Sequence, residues 1–249
     1  MIGSSENRGG SIYRLENLQI FFALLIPVAL LAFAKSYFTG VTFTGKSVTV
    51  LIHAHTALMV LWLLMLSAQA WFIRTRRFRL HRWLGRSSYA IAPLILVSII
   101  LASHEGLNRT MGGLSTQVAQ IEVYTWGQLL GFGLAWGLAI FFRKRTPLHM
   151  RFMISTIFAA GSAFINRIIL NWFGWLPGMD TLDVVFATNG TILTLSLLTL
   201  VVADWRKGLK WSPYWVVTVV TVIMHVGYFT FSKTQGWIEF IRWFMGLSI

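Results

Sequence analysis

Apolar residues run along this chain in long unbroken stretches, without the strict alternation of a half-buried strand or the single stripe of an amphipathic helix. A helix that crosses a bilayer needs about 20 mostly apolar residues. Seven segments meet or approach that length: Leu18–Phe38, Ser47–Ile73, Ser87–Ser103, Val118–Phe142, Phe152–Phe173, Val184–Ala203 and Pro213–Ser232. The third is short unless it begins back near His81. Barrel strands alternate lipid-facing and lumen-facing residues, so continuous runs exclude a closed β-barrel. The pattern predicts an all-α integral membrane bundle of seven transmembrane helices. A cytoplasmic tail over residues 1–17 precedes this seven-helix domain, which takes in residues 18–232. The closing segment, residues 233–249, reads as an amphipathic helix with Trp237, Phe240, Ile241 and Phe244 on one side and Glu239 and Arg242 on another. Such a helix is expected to lie in the outer interface. The first span ends in Ala32-Phe33-Ala34, which resembles a signal-peptidase site, but the long region before it carries Glu6 and Glu16, so the segment is read as a retained helix.

Composition agrees. Of 249 residues, 56% are hydrophobic and 12% charged, against roughly 25% charged in a soluble domain. A single water-soluble domain, a disordered chain and a fibre are excluded. The chain has no cysteine, which rules out disulfides, thiolate zinc, cysteine-held iron–sulfur clusters and a cysteine nucleophile.

Charge then sets orientation. Arg74, Arg76, Arg77, Arg79, Arg82 and Arg86 lie between spans two and three, and Arg143, Lys144, Arg145 and Arg151 between four and five. Arg206, Lys207 and Lys210 follow span six, and Arg8 and Arg14 precede span one, which puts fifteen of the 21 basic residues on one side. The opposite side holds Glu105, Glu122, Asp180, Asp183 and Glu239, five of the eight acids. The positive-inside rule makes the basic side cytoplasmic, with the N-terminus inside, the C-terminus outside and the cell's inner (plasma) membrane as the location. Trp71, Trp83, Trp172, Trp175, Trp205, Trp211 and Trp237 fall near span ends, as interfacial belts do. The net charge of +13 thus marks topology, and nucleic-acid binding is disfavoured because the basic residues sit in short loops at a membrane surface.

Two basic loops look alike. One reads Arg76-Arg77-Phe78-Arg79-Leu80-His81-Arg82, the other Arg143-Lys144-Arg145-Thr146-Pro147-Leu148-His149-Met150-Arg151. The hairpins of spans 2–3 and 4–5 are therefore either a parallel repeat or two cytoplasmic loops made similar by the need for arginine. The stretch His81-Arg82-Trp83-Leu84-Gly85-Arg86, after a span carrying His53 and Gln69, resembles an uncharacterised bacterial membrane family, domain of unknown function 2306. His149, Arg151, Met153 and Arg167 extend the resemblance over roughly residues 50–170. It departs at Phe152, where tryptophan is expected, and at Ser155, where a second arginine is expected. The resemblance implies a membrane fold and supplies no activity. The His-Arg-x-x-Gly-Arg string also resembles, more faintly, part of cytochrome b and ferric-reductase type membrane proteins.

The six histidines fall in two strata. His81 and His149 sit at the cytoplasmic starts of spans three and five, while His53, His55, His104 and His225 lie toward the outer surface. Ionisable groups within spans point to function by default. Bis-histidine haem b needs two neutral imidazoles at one depth on facing helices. His53 or His55 with His225 would make an outer site, and His81 with His149 an inner one. A metal site from His53, His104 and His225, with Glu105 and Glu122 near by, is a second expectation. A third places an anionic lipid or a quinone carbonyl at the cytoplasmic face, on Arg82, Arg86, Arg151 and the two inner histidines. Arg167 interrupts an apolar run in span five, and either pairs with Glu122 of span four or binds a ligand. Gln69, Gln128, Asn166, Asn171 and Asn189 read as interhelical hydrogen-bond glue, and Gly127, Gly131, Gly133 and Gly137 as a close-packing stripe. Phosphate loops, nucleophile elbows and zinc-protease motifs are absent from the sequence. Two functions follow: a haem- or quinone-linked membrane electron-transfer protein, or a non-enzymatic protein that binds lipid or a small ligand or serves as an accessory subunit of a membrane complex.

Overall fold

The computed structural model describes residues 15–39, 48–109, 114–177, 181–209 and 211–248. The tail residues Glu6, Arg8 and Arg14, together with Asp180 and Lys210, lie outside the described residues. Among the described residues eight α-helices follow one another: α1 Leu15–Phe33, α2 Val50–Arg74, α3 Phe78–Asn108, α4 Thr116–Phe141, α5 Thr146–Ile168, α6 Leu182–Arg206, α7 Tyr214–Phe229 and α8 Gln235–Met245. α1 and α5 each continue through a wider π turn, Ala34–Phe38 and Ile169–Phe173. Helix starts follow local chemistry. Ser115 caps α4 by accepting from the Val118 amide at 3.3 Å, and Pro147 sits in the first turn of α5, where its missing N–H costs nothing.

The expected all-α architecture holds among the described residues, and five helices are long and apolar enough to cross a membrane: Gln19–Phe38, Val50–Arg74, Phe78–Asn108, Thr146–Phe173 and Leu182–Arg206. Seven were expected, and the remaining two fall short for different reasons. α7 has 16 residues, a length of about 24 Å at helical rise. α4 has 26, but Gln117, Gln120, Glu122, Gln128 and its glycines dilute its apolar character. α4 does not need lipid-facing chemistry on most of its circumference, because it packs on α3, α5 and α7.

The α4–α5 pair is the axis of the bundle, with α1 against α2 and α5, and α6 and α7 closing the other side. Trp62 of α2 reaches this axis, stacking edge-on to Phe132 at 5.1 Å and donating its indole N–H to Thr156 Oγ1 at 3.2 Å. Ile95, Ile154, Leu197, Tyr214 and Val217 complete the core. The glycines of α4 serve three neighbours rather than one. A Cβ on Gly127 would meet Met224 of α7 at 2.6 Å, one on Gly131 would meet Ala159 of α5 at 3.3 Å, and one on Gly133 would meet Leu96 of α3 at 3.6 Å.

The outward surface is apolar, with Ile20, Leu24, Leu94, Val97, Leu130, Leu195 and Ile223 among the exposed side chains. That pattern suits lipid as the surrounding solvent, since helices satisfy their own backbone groups. Six of the seven tryptophans assigned to the belts are exposed, but Trp237 is buried and donates to the Ala119 carbonyl at 2.8 Å. α8 therefore spends its apolar side (Trp237, Ile241 and Phe244) on the ends of α3 and α4, where an immersed interfacial helix would have spent it on lipid.

Candidate functional site

Basic residues gather where α2, α4 and α6 end and α3, α5 and α7 begin. At this basic end the two look-alike loops place their histidines equivalently, His81 as the fourth residue of α3 and His149 as the fourth of α5. The two imidazoles lie within electrostatic reach of one another. His149 donates its Nδ1 proton to the Ala139 carbonyl of α4 at 2.8 Å, which leaves Nε2 as its second nitrogen. Gln69 of α2 is buried at 8% exposure and donates Nε2–H to the backbone carbonyl of His81 at 3.1 Å. Gly85 lies against this bond, and a Cβ there would stand in ordinary contact with Gln69 Nε2, at 3.4 Å. Two polar atoms in this junction are buried without a hydrogen-bond partner: Gln69 Oε1 and His81 Nδ1. Arg82 and Arg86 point outward on the same first turns of α3 and are exposed.

Arg151, expected to hold an anionic ligand, already holds the chain's own Asp204. Its Nε and Nη2 donate to the carboxylate at 2.7 to 2.9 Å, a bidentate geometry in which Asp204 is wholly buried. Nη1 of Arg151 donates to the Pro147 carbonyl at 2.9 Å, and Ser212 Oγ donates to Asp204 at 2.7 Å. This clamp ties α5 to α6 and to the start of α7. Sequence reading missed Asp204. The signal was there, an acid set in the last turn of an apolar span on the side where arginine gathers.

At the opposite, acidic end the outer histidines are each engaged by a different neighbour. His53 is exposed and shares a hydrogen bond with the Tyr37 hydroxyl after α1. The Ser98 hydroxyl donates to Ile95 O at 2.7 Å, so His55 Nδ1–H donates to Ser98 Oγ at 2.9 Å. His225 of α7 meets the Tyr124 hydroxyl of α4 at 2.7 Å and lies directly over Gly190 of α6, where no Cβ fits. His104 is buried and donates through Nε2 to the Leu247 carbonyl at 2.9 Å. His53, His104 and His225 do not converge, and among the described residues no group of three or more histidine, aspartate or glutamate side chains is placed to hold a metal ion.

The expected Arg167–Glu122 pair is absent. Glu122 is buried at 7% exposure and accepts from Ser103 Oγ of α3 at 2.6 Å. Arg167 turns instead toward α1, with its guanidinium 4.5 Å over the Phe33 ring, and donates to its own helix at Ala163 O. The two residues sit on different sides of the α4–α5 axis, a fact that helical period alone does not encode. The glue reading fits Asn189, which donates to Ser162 Oγ at 2.8 Å and to Asn166 Oδ1 at 2.7 Å.

A bis-histidine haem needs a slot faced by two imidazoles. His53, His55 and His225 share none, each being turned to a different helix. Of the inner pair, His149 has its Nδ1 on a backbone carbonyl, the tautomer that an axial ligand uses. One cavity of about 250 Å³ is lined by Val201, Trp205, Leu209, Ser212 and Trp215, and another of about 380 Å³ by Leu51, Leu101, His104, Glu105, Asn108 and Arg109. Neither is lined by two candidate histidines. No family model, curated protein or solved structure matches the chain.

Proposed function

We propose that the chain is a seven-span inner-membrane protein, basic end toward the cytoplasm, that holds the head group of a quinone-type ligand between α2, α3 and α5. The observation that carries this reading is the pair of buried atoms without partners, Gln69 Oε1 and His81 Nδ1, in one junction beside His149. Leaving a buried acceptor unpaired costs about 1–3 kcal/mol, which a ligand hydrogen bond recovers. The carboxamide oxygen can only accept. A lipid phosphate offers acceptors alone and leaves that oxygen unmet, whereas a hydroxyl of a quinol donates to it. The carbonyl of a quinone suits His81 Nδ1 when that nitrogen carries its proton. His149 Nε2, unprotonated in the neutral tautomer set by Ala139, stands by as a proton acceptor. Arg82 and Arg86, exposed at the rim, set topology and meet headgroups. Membership of the domain of unknown function 2306 family, as a divergent relative, is part of the same proposal.

A second reading has one observation in its favour. The carbonyl-bonded Nδ1 of His149 and the nearness of His81 also suit a haem held by those two residues, which would supply one-electron chemistry when bound.

Titration of the full chain in detergent with a decyl-substituted benzoquinone, followed by tryptophan fluorescence, tests the first reading. Saturable quenching is expected, weakened at least about tenfold in Gln69→Leu and in His81→Phe and little changed in Arg82→Ala. Absence of saturable binding, or equal affinity in all three variants, overturns it.

A further inference from the structure

The acidic end carries a second unfinished group, independent of the quinone reading. Arg167 is a guanidinium in the outer part of a membrane-length helix, and among the described residues no carboxylate lies within salt-bridge distance of it. Of its five N–H donors, one is used, from Nη1 to Ala163 O at 3.2 Å. The simple alternative is a snorkelling arginine that carries its charge to the nearer surface. Its direction argues against that. Helical side chains lean toward the N-terminus of their own helix, and the nearer surface here lies past the C-terminal end of α5. The bond to Ala163, one turn back, therefore takes the charge deeper.

The guanidinium sits beside an apolar cluster. Phe33 lies under it at 4.5 Å, and Phe33, Phe164, Leu63, Ala32 and Ile168 form one cluster of α1, α2 and α5. His55 lies within electrostatic reach of Arg167. Its Nδ1 proton is committed to Ser98, and its Nε2 has no hydrogen bond in the structure. One fixed positive charge, a planar donor fork and a neighbouring ring nitrogen that can only accept define the ligand by chemistry. A phosphate dianion would be left with uncompensated charge, while a carboxylate matches both the charge and the fork.

We infer that Arg167 anchors a binding site for a single carboxyl group at the acidic end, at the junction of α1, α2 and α5, its fork donating to the carboxylate while His55 Nε2, which can only accept, takes the proton of a group that enters as the acid. The carboxylate is supplied either by a membrane amphiphile or by a small water-soluble acid, and the site distinguishes neither until both are offered.

The test is binding of tritiated palmitate to the detergent-solubilised full chain, with acetate, hexadecanol and unlabelled palmitate as competitors. Saturable binding displaced by palmitate and not by hexadecanol is expected, and displacement by millimolar acetate as well would assign the site to soluble acids. Affinity should fall at least tenfold in Arg167→Gln and recover in part in Arg167→Lys, with thermal midpoints confirming that both variants fold. If Arg167→Gln does not fold, His55→Phe takes its place, with a weakening of several-fold expected. Equal displacement by hexadecanol, unchanged affinity in the variants, or no saturable binding of either acid overturns the inference.

Discussion

Arg151 and Arg167 stand on the same helix, near its two ends, and the bundle treats them in opposite ways. Arg151 is buried and grips Asp204 through two parallel bonds, with Ser212 filling a further acceptor position on the carboxylate. Arg167 has an aromatic face, one carbonyl of its own helix and no acid among the described residues. A charge the chain completes for itself holds helices together. A charge or a buried amide that the chain leaves incomplete marks where something else can bind. By that criterion the basic end divides in two: the Arg151–Asp204 clamp is structural, and the Gln69–His81 junction beside it is unfinished.

The contrast can be broken by mutation, and the largest effect is expected at the clamp. Asp204→Ala leaves a buried guanidinium without its counter-charge and should cost about 3–5 kcal/mol, read as a lowered unfolding midpoint in detergent. The double variant Arg151→Met with Asp204→Leu should recover most of the loss, because paired replacement by apolar groups of similar size is often neutral. A midpoint unchanged by Asp204→Ala would mean the clamp is not structural.

A smaller loss is expected where α7 crosses α6. Gly190→Ala places a methyl group where the His225 ring lies, and overpacking of this kind costs about 1–3 kcal/mol. His225→Ala in that background should relieve it, and failure to do so would relocate the strain. The smallest effect on stability belongs to Arg167→Gln. Losing a half-buried cation over Phe33 should change stability by about 1 kcal/mol or less. A loss as large as that of Asp204→Ala would show that Arg167 has a structural partner, and the comparison between the two arginines would fail.

Length and hydropathy made the long apolar helices legible, and the sorting of arginine against acid separated the two ends. The Leu-His pairs were legible as well, because both helices start at the same distance before the histidine, and the bundle leaves the two rings within electrostatic reach of one another. Azimuth was not legible. Whether Arg167 faces Glu122 or Phe33 depends on how α5 is rotated against α1 and α4, and a span apolar on most of its circumference gives no stripe from which to read that rotation. The pairing of Asp204 is illegible for a related reason: its partner lies on another helix, and only packing shows that α6 ends beside the start of α5. α8 was read by its amphipathic pattern alone, which does not say whether lipid or protein takes the apolar side.

The most direct measurement is an absorption spectrum of the detergent-purified protein, taken oxidised and after dithionite reduction. The account predicts no Soret band and an ultraviolet quinone-minus-quinol difference from co-purified ligand, lost in Gln69→Leu. A Soret band with sharp reduced α and β bands, or no redox-active chromophore even after a quinone is added back, would contradict it.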